Sequence, residues 1–346
     1  MAYRKTLVLF WLRAVCFVCL LLVVLIGALY VLTPKYDYGI CSITNLYQQK
    51  DDTVDVLVLG TSMAYSAVNT NLLWAENGIA AYNLCGAEMP YWISFYYLQE
   101  ALKTQSPKVI VLDAQPATYG MDNPARGRII MSTFGIQDPL IRLKAIAASA
   151  KPEDFLSYAL GYPALHSMYS DVTGADFIFP PDNGGRGPSW KGYIEYNETE
   201  RLTKANPADW NQSTRPLSSK QQMYFEKILA LANERGINVL VVAFPTPYYA
   251  TDIPYLNTLQ GIAEHYQAMF INYNHPDNRL TWDYARDFAD NQHLNIRSSA
   301  KLTEKLARDL TIRYSLPDHR GEAAYSSYDT CAEQWFALYP QYKPEE

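Results

Sequence analysis

Apolar and polar positions along the chain fall into two regimes. Arg4, Lys5 and Arg13 precede an uncharged apolar stretch, residues 14–32, which Pro34-Lys35 closes. At about 1.5 Å of rise per residue, a stretch of this length spans a hydrocarbon core of about 30 Å. The pattern predicts a cytoplasmic stub (1–13), a transmembrane signal-anchor (14–33) and a juxtamembrane segment (34–50). Basic residues ahead of the span place the N-terminus in the cytoplasm and the main domain outside, at a single-pass cell-membrane location. A cleaved signal peptide is the competing reading. The apolar run is long for one, and Ile26-Gly27-Ala28-Leu29 is a weak cleavage sequence.

Beyond the anchor the pattern alternates between strand and helix. Residues 54–59 form a continuous β-branched and leucine run, the signature of a strand buried on both faces of a parallel sheet. Runs at 80–84, 109–112, 237–244 and 269–273 read as four further strands. Between them, Pro90 opens a helix with Ile93, Tyr96, Tyr97 and Ala101 at helical spacing. Ser218 or Ser219 caps another that runs to Glu234 and stops at Gly236. Helices over 256–267 and 298–314 complete the series. This predicts an α/β fold, a doubly wound parallel sheet of about five strands, with ligands beyond the carboxyl ends of the strands. Ser62, Gly86, Gln115 and Pro245 all follow such ends.

Between Tyr119 and Arg215 the alternation stops. Asn123-Pro124, Pro180-Pro181-Asp182-Asn183-Gly184-Gly185 and Gly187-Pro188 punctuate it, with helical patches at 137–150 and 154–170. A structureless loop of that length is improbable, so the segment reads as a partly helical insertion over the active face, a lid. A packing subdomain away from the site is the alternative.

Composition narrows the classes. A net charge of −6 and the absence of a basic stripe argue against nucleic acid as a partner. The 28 tyrosines and 7 tryptophans suit either a carbohydrate site or a tyrosine-rich core. Cys16 and Cys19 lie in the span, leaving Cys41, Cys85 and Cys331 outside it, an odd number that implies no disulfide framework. Five histidines without paired spacing predict no metal site, and no cofactor is expected.

The candidate chemistry lies at opposite ends of the domain. Gly60-Thr61-Ser62 follows the first strand, and Asp290-Asn291-Gln292-His293 lies near the end of the α/β pattern. Serine is a poor nucleophile at neutral pH, so Ser62 requires His293 to take its proton, with Asp290 holding the imidazole tautomer. Such a trio performs acyl chemistry. Met63 and Tyr65 are close enough in sequence to line the same pocket; His166, in the insertion, reads as a substrate contact or a structural histidine. His319, in Pro317-Asp318-His319-Arg320, reads as a pin for the tail.

The strand–Gly60-Thr61-Ser62 corner, Gly86 and Asp290-x-x-His293 before the last helix resemble the SGNH (GDSL-like) hydrolase superfamily across about residues 50–315. The basic stub, the single anchor, Pro34-Lys35-Tyr36, Val54-Asp55-Val56-Leu57, His293-Leu294-Asn295 and the tail Leu316-Pro317-Asp318-His319-Arg320-Gly321 are similar to membrane-anchored bacterial members. Those members are of the DltD-like, O-acyltransferase-associated type. The resemblance implies a flavodoxin-like SGNH domain over 51–315 with its insertion at about 120–216, and a tail, 316–346, packed on the domain or partly disordered. It implies an oxyanion hole built from the backbone N–H groups of Ser62 and Gly86. A third donor is usually the asparagine of a Gly-x-Asn-Asp segment. Here that segment reads Asp113-Ala114-Gln115-Pro116, so Gln115 is the expected donor and an ionised Asp113 would oppose the oxyanion. Losing one donor typically costs about 10²–10³ in rate. Tyr65, His166 and Trp190 are the expected substrate-binding residues. The implied function is a serine esterase or O-acyltransferase acting on cell-envelope polysaccharide or teichoic acid, partnered by a membrane-bound O-acyltransferase. The alternative is a catalytically weak docking subunit for such an enzyme.

Overall fold

The computed structural model describes residues 2–34, 39–118, 122, 124–178, 190–202, 211–246, 251–278 and 280–344; the side chains of residues 2–5 and 167 are not described. Lys35, Asn123 and the turn-rich stretches 180–185 and 187–188 lie outside the described residues. The chain begins with α1 (Ala2–Leu32) and α2 (Ile40–Leu46), and enters the sheet at β1 (Val56–Gly60). Then come α3 (Ser62–Ala67), α4 (Thr70–Asn77), β2 (Ala81–Cys85), α5 (Tyr91–Ala101) and β3 (Val109–Asp113). The insertion contributes α6 (Arg126–Thr133), α7 (Pro139–Ser149), α8 (Phe155–Leu160) and α9 (Tyr162–Leu165), followed by 3₁₀ turns at His166–Asp171 and Gly174–Phe177. The sheet resumes with α10 (Ser219–Glu234), β4 (Asn238–Ala243), α11 (Ile253–His265) and β5 (Met269–Asn272). Finally, α12 (Ile296–Arg313) and α13 (Ser326–Leu338) close the domain.

The five strands form one parallel sheet in the order β2-β1-β3-β4-β5. Every residue of β1, β2 and β3 is buried: β1 and β3 are apolar up to Gly60 and Asp113, and β2 accommodates Asn83 by its hydrogen bond to the Val68 carbonyl. Alternation across the pleat divides them. Leu57, Leu59, Ile110, Leu112, Val239 and Val241 face a core completed by α5, α10 and α11. Val56, Val58, Val109, Val111, Leu240 and Val242 face α3 and α12. The five strands and the flanking helices lie within two residues of the positions the pattern predicts, apart from α11, which starts three residues early.

Three differences bear on the site. First, α1 starts at Ala2, so the stub is helical too, and its apolar portion runs Thr6–Leu32, 27 residues long enough to cross a membrane. Second, the predicted 154–170 helix breaks at Gly161, whose φ of +79° no helix accommodates, with Pro163 just beyond. Third, the tail is packed onto the domain: Trp335 is fully buried among Trp74, Tyr193 and Tyr328. His319 stacks on Tyr325 and brings Nε2 to 2.9 Å from Asp55, while Arg320 donates to the Ala75 carbonyl.

Lys191 sits beneath this tail, 5% exposed, donating to Gln49 Oε1 and Ser327 Oγ at 2.7 Å each, with its ammonium 4.0 Å above the Tyr328 ring. Burial without a facing carboxylate pushes its pKa down to about 8, from an ordinary 10.5. Between those values the unfolded chain binds a proton that the folded chain does not, so stability rises with pH there. Buried tyrosines such as Tyr193, held above their ordinary 10, reverse the slope at higher pH. Lys191→Met should therefore flatten the rise in denaturation midpoint between about pH 8 and 10. Equal slopes in the two proteins would show that the buried amine does not titrate as described.

Candidate active site

The corner after β1 is built around one buried carboxylate. Gly60 ends the strand where a Cβ would meet Asp113 Cβ at 2.3 Å, so only glycine allows β3 this close. Asp113 has no exposed surface and accepts three hydrogen bonds. Its Oδ2 takes the Thr61 N–H at 2.9 Å and the Thr61 hydroxyl at 2.6 Å, and its Oδ1 takes the Gln115 N–H at 2.9 Å. Burial raises the Asp113 pKa, and the Thr61 and Gln115 donors oppose that rise without cancelling it. Thr61 Oγ1 in turn caps α3 by accepting from the Met63 N–H at 3.2 Å. Asp113 is thus turned away from the cavity and holds the corner, which corrects the expectation that it would oppose an oxyanion.

Ser62 stands on that corner. Its hydroxyl Oγ is 2.7 Å from His293 Nε2, and His293 Nδ1 is 2.7 Å from Asp290 Oδ2. Asp290 is held by its own loop: its Oδ1 accepts from the N–H groups of Gln292 (2.7 Å) and His293 (2.8 Å), an Asx-type turn. An antiparallel bridge between Phe288 and Leu294, both buried, clamps the two ends of the loop. Burial raises the pKa of Asp290, but the His293 side chain and the two backbone donors outweigh it and hold the carboxylate below its ordinary value. An ionised Asp290 on Nδ1 favours the tautomer whose Nε2 accepts from the Ser62 hydroxyl. The Tyr196 ring lies 5.1 Å from the His293 ring, and its hydroxyl lies 3.3 Å from that of Tyr65.

These groups face a cavity of about 1270 Å³ lined by Ser62, His293, Met63, Tyr65, Gln115 and Tyr196. Its far wall is the insertion, through Arg128, Met131, Met168, Asp171, Val172, Thr173 and Asp176, and its rim includes Val31, Leu32, Thr33 and Pro34 from the end of α1. Glu88, at a φ of +53°, pairs with Arg128 across the rim (Nε–Oε2 3.1 Å). Among the described residues no group of three or more His, Cys, Asp and Glu could hold a metal.

Several expected contributors sit elsewhere. The Gly86 N–H donates to the Gly60 carbonyl at 3.1 Å, extending the β1–β2 ladder by one residue, and so is not available to an oxyanion. The Ala87 N–H, on the cavity wall, and the Ser62 N–H, at the start of α3, have no acceptor among the described residues. Gln115 does line the cavity, but its side-chain amide donates to Thr118 Oγ1 at 3.1 Å. His166 is exposed, 2.8 Å from the Pro163 carbonyl, and forms no part of the wall. Trp190 is buried in the tail core and donates to Glu195, so it offers nothing to a ligand. Tyr65 lines the cavity as expected, joined by Trp92 and Tyr196, which pack on opposite faces of the sheet. Neither Trp92 nor Tyr196 had a distinguishing local signal in the sequence.

No protein-family model matches this chain, and no curated protein matches it. The functional argument therefore rests on the geometry.

Asp113→Ala should test the corner directly. It leaves the Thr61 and Gln115 donors buried without their acceptor, at about 1–3 kcal/mol for each unsatisfied group, so the variant should lose about 3 kcal/mol or more in chemical denaturation. Gly60→Ala should displace the same carboxylate sterically. If Asp113→Ala unfolds at the wild-type midpoint, the corner does not depend on this contact.

Proposed function

We propose that this protein is a membrane-anchored serine esterase or O-acyltransferase of the SGNH type, with a flavodoxin-like domain, that modifies an extracytoplasmic cell-envelope polymer. The observation that carries the proposal is the continuous Asp290–His293–Ser62 chain, two contacts of 2.7 Å each. Residues 231 apart in sequence meet at a cavity beyond the strand ends, and that convergence favours chemistry over a turn serine and a surface histidine.

The geometry supports the following sequence of steps. Ser62 Oγ attacks an ester carbonyl carbon while its proton passes to His293 Nε2, and Asp290 stabilises the resulting imidazolium. The Ser62 N–H receives the developing oxyanion, assisted by the Ala87 N–H in place of that of Gly86. Collapse expels the alcohol, which takes the proton from His293, and leaves the acyl group on Ser62. Water, or a polymer hydroxyl where the insertion keeps water out, then gives up its proton to His293 as its oxygen attacks the acyl carbon, and His293 returns that proton to Ser62 Oγ as the acyl–Oγ bond breaks. A second reading, a weak docking subunit for a membrane-bound O-acyltransferase, draws support from the engaged Gly86 N–H and the tethered Gln115 amide.

The two readings separate on one experiment. Full-length protein in detergent should be labelled by a fluorophosphonate probe, and Ser62→Ala should abolish labelling. Asp290→Asn should slow it by on the order of 10⁴, because the imidazole tautomer is lost. Labelling that persists in Ser62→Ala rejects this serine as nucleophile; a folded wild type that is never labelled favours the docking reading.

An envelope substrate also requires the domain to lie outside. Protease added to intact cells should digest the domain and leave an anchor fragment. Protection until the membrane is permeabilised would exclude an envelope polymer.

A further inference from the structure

Among the described residues, twelve large hydrophobic side chains are exposed outside α1, and six of them fall within residues 156–178: Leu156, Leu160, Tyr162, Tyr169, Phe177 and Ile178, between 45% and 74% exposed. The same stretch contains no lysine or arginine, and its two acids are Asp171 and the buried Asp176, which caps Thr173. Leu156 and Leu160 are one helical turn apart on α8, so they present a single face. A patch this apolar on a domain surface marks a contact that is absent from the isolated chain.

Its place in the fold says what that contact is. The last turn of α1 is built into the insertion. Leu29 and Leu32 pack against Ile129, Ile130, Ile146, Tyr158 and Leu165. The Tyr30 hydroxyl donates to the Ile178 carbonyl, and Leu29 lies against Gly161, between Leu160 and Tyr162. The depth of this docking follows from the length of α1. With Arg13 at one headgroup layer, the residues 14–32 rise about 28 Å and end at the opposite edge of the hydrocarbon. With the span begun at Thr6, a core of about 30 Å ends near Leu25, just before the segment that contacts the insertion. Either register brings residues 156–178 to the lipid–water boundary on the domain's side. Tyrosines and an amphipathic short helix are the residue types that this layer favours.

We propose that residues 156–178 are a second membrane-contact element, seated in the phospholipid interface beside α1. The occupant of the patch is the bilayer itself. Val31, Leu32, Thr33 and Pro34 line the same cavity as Ser62 and His293, so the cavity mouth lies at the membrane surface. The inference is independent of the chemistry at Ser62, and it holds even if that serine proves inert.

Full-length protein in phosphatidylcholine–phosphatidylglycerol nanodiscs, doped with a phospholipid carrying a diazirine near its headgroup, provides the test. After irradiation, lipid adducts should appear on peptides from 6–32 and from 155–178. They should be absent around Ile312 on α12, an exposed apolar residue on the opposite side of the sheet. Adducts confined to 6–32 would overturn the proposal. So would protein–protein crosslinks through 155–178, which would give the patch to a second chain.

Discussion

Desolvating a carboxylate costs several kcal/mol unless donors replace its water, and Asp113 keeps its place because three do. Two of them belong to Thr61, the residue between the end of β1 and Ser62. The contact therefore couples β3 to the first turn of α3, and it requires glycine at position 60 so that the two strands can come together. With Thr61 pinned at both its N–H and its hydroxyl, Ser62 has little freedom to choose where its own hydroxyl points. The nucleophilic role proposed for Ser62 needs that restraint, because an error of about 1 Å against the base costs roughly 10²-fold in rate. The opposite partner is restrained differently: Asp290 closes its own loop through two backbone N–H groups before it touches His293 Nδ1. Neither half of the trio depends on the other for its conformation.

What the sequence made legible, and what it hid, divides along the same line. The central strands β1, β3 and β4 announce themselves because a sheet covered on both faces favours near-continuous Val, Leu and Ile. Ser62 and His293 were legible from chain order, since a residue after the first strand and one just before α12 meet beyond the carboxyl ends of the strands. Gly86 was misassigned for a reason of register: Gly60 pairs with Cys85, so the next N–H falls within reach of the Gly60 carbonyl. A shift of one residue moves the free N–H to Ala87, and spacing alone does not reveal which residue the ladder consumes. Asp113 was misread because an acid at a strand end shows its charge in sequence but not its direction. His166 and Trp190 carry plausible side chains, yet their places depend on how the insertion and the tail pack, for which neither has a periodic signal.

The insertion is where local pattern fails most completely. Its helices are short, with α8 six residues long and α9 four, and isolated helices of that length are not stable in water. They persist because they share a core with the end of α1, and that core joins two segments about 100 residues apart. An apolar helix end that looks in sequence like nothing but membrane thus doubles as a structural element of the domain. This has a mechanical consequence. In a protein tethered by a free linker, the domain can rotate over the membrane, and a catalytic cleft samples all directions. Here Leu29, Tyr30 and Leu32 hold the insertion, and the insertion forms the far wall of the cavity. With α1 read as the proposed membrane span, the orientation of the cavity is set by that helix rather than left to a linker. Under the proposed function, an ester substrate would meet Ser62 at a fixed height and angle, which removes part of the orientational entropy that a freely tethered enzyme must supply with each encounter.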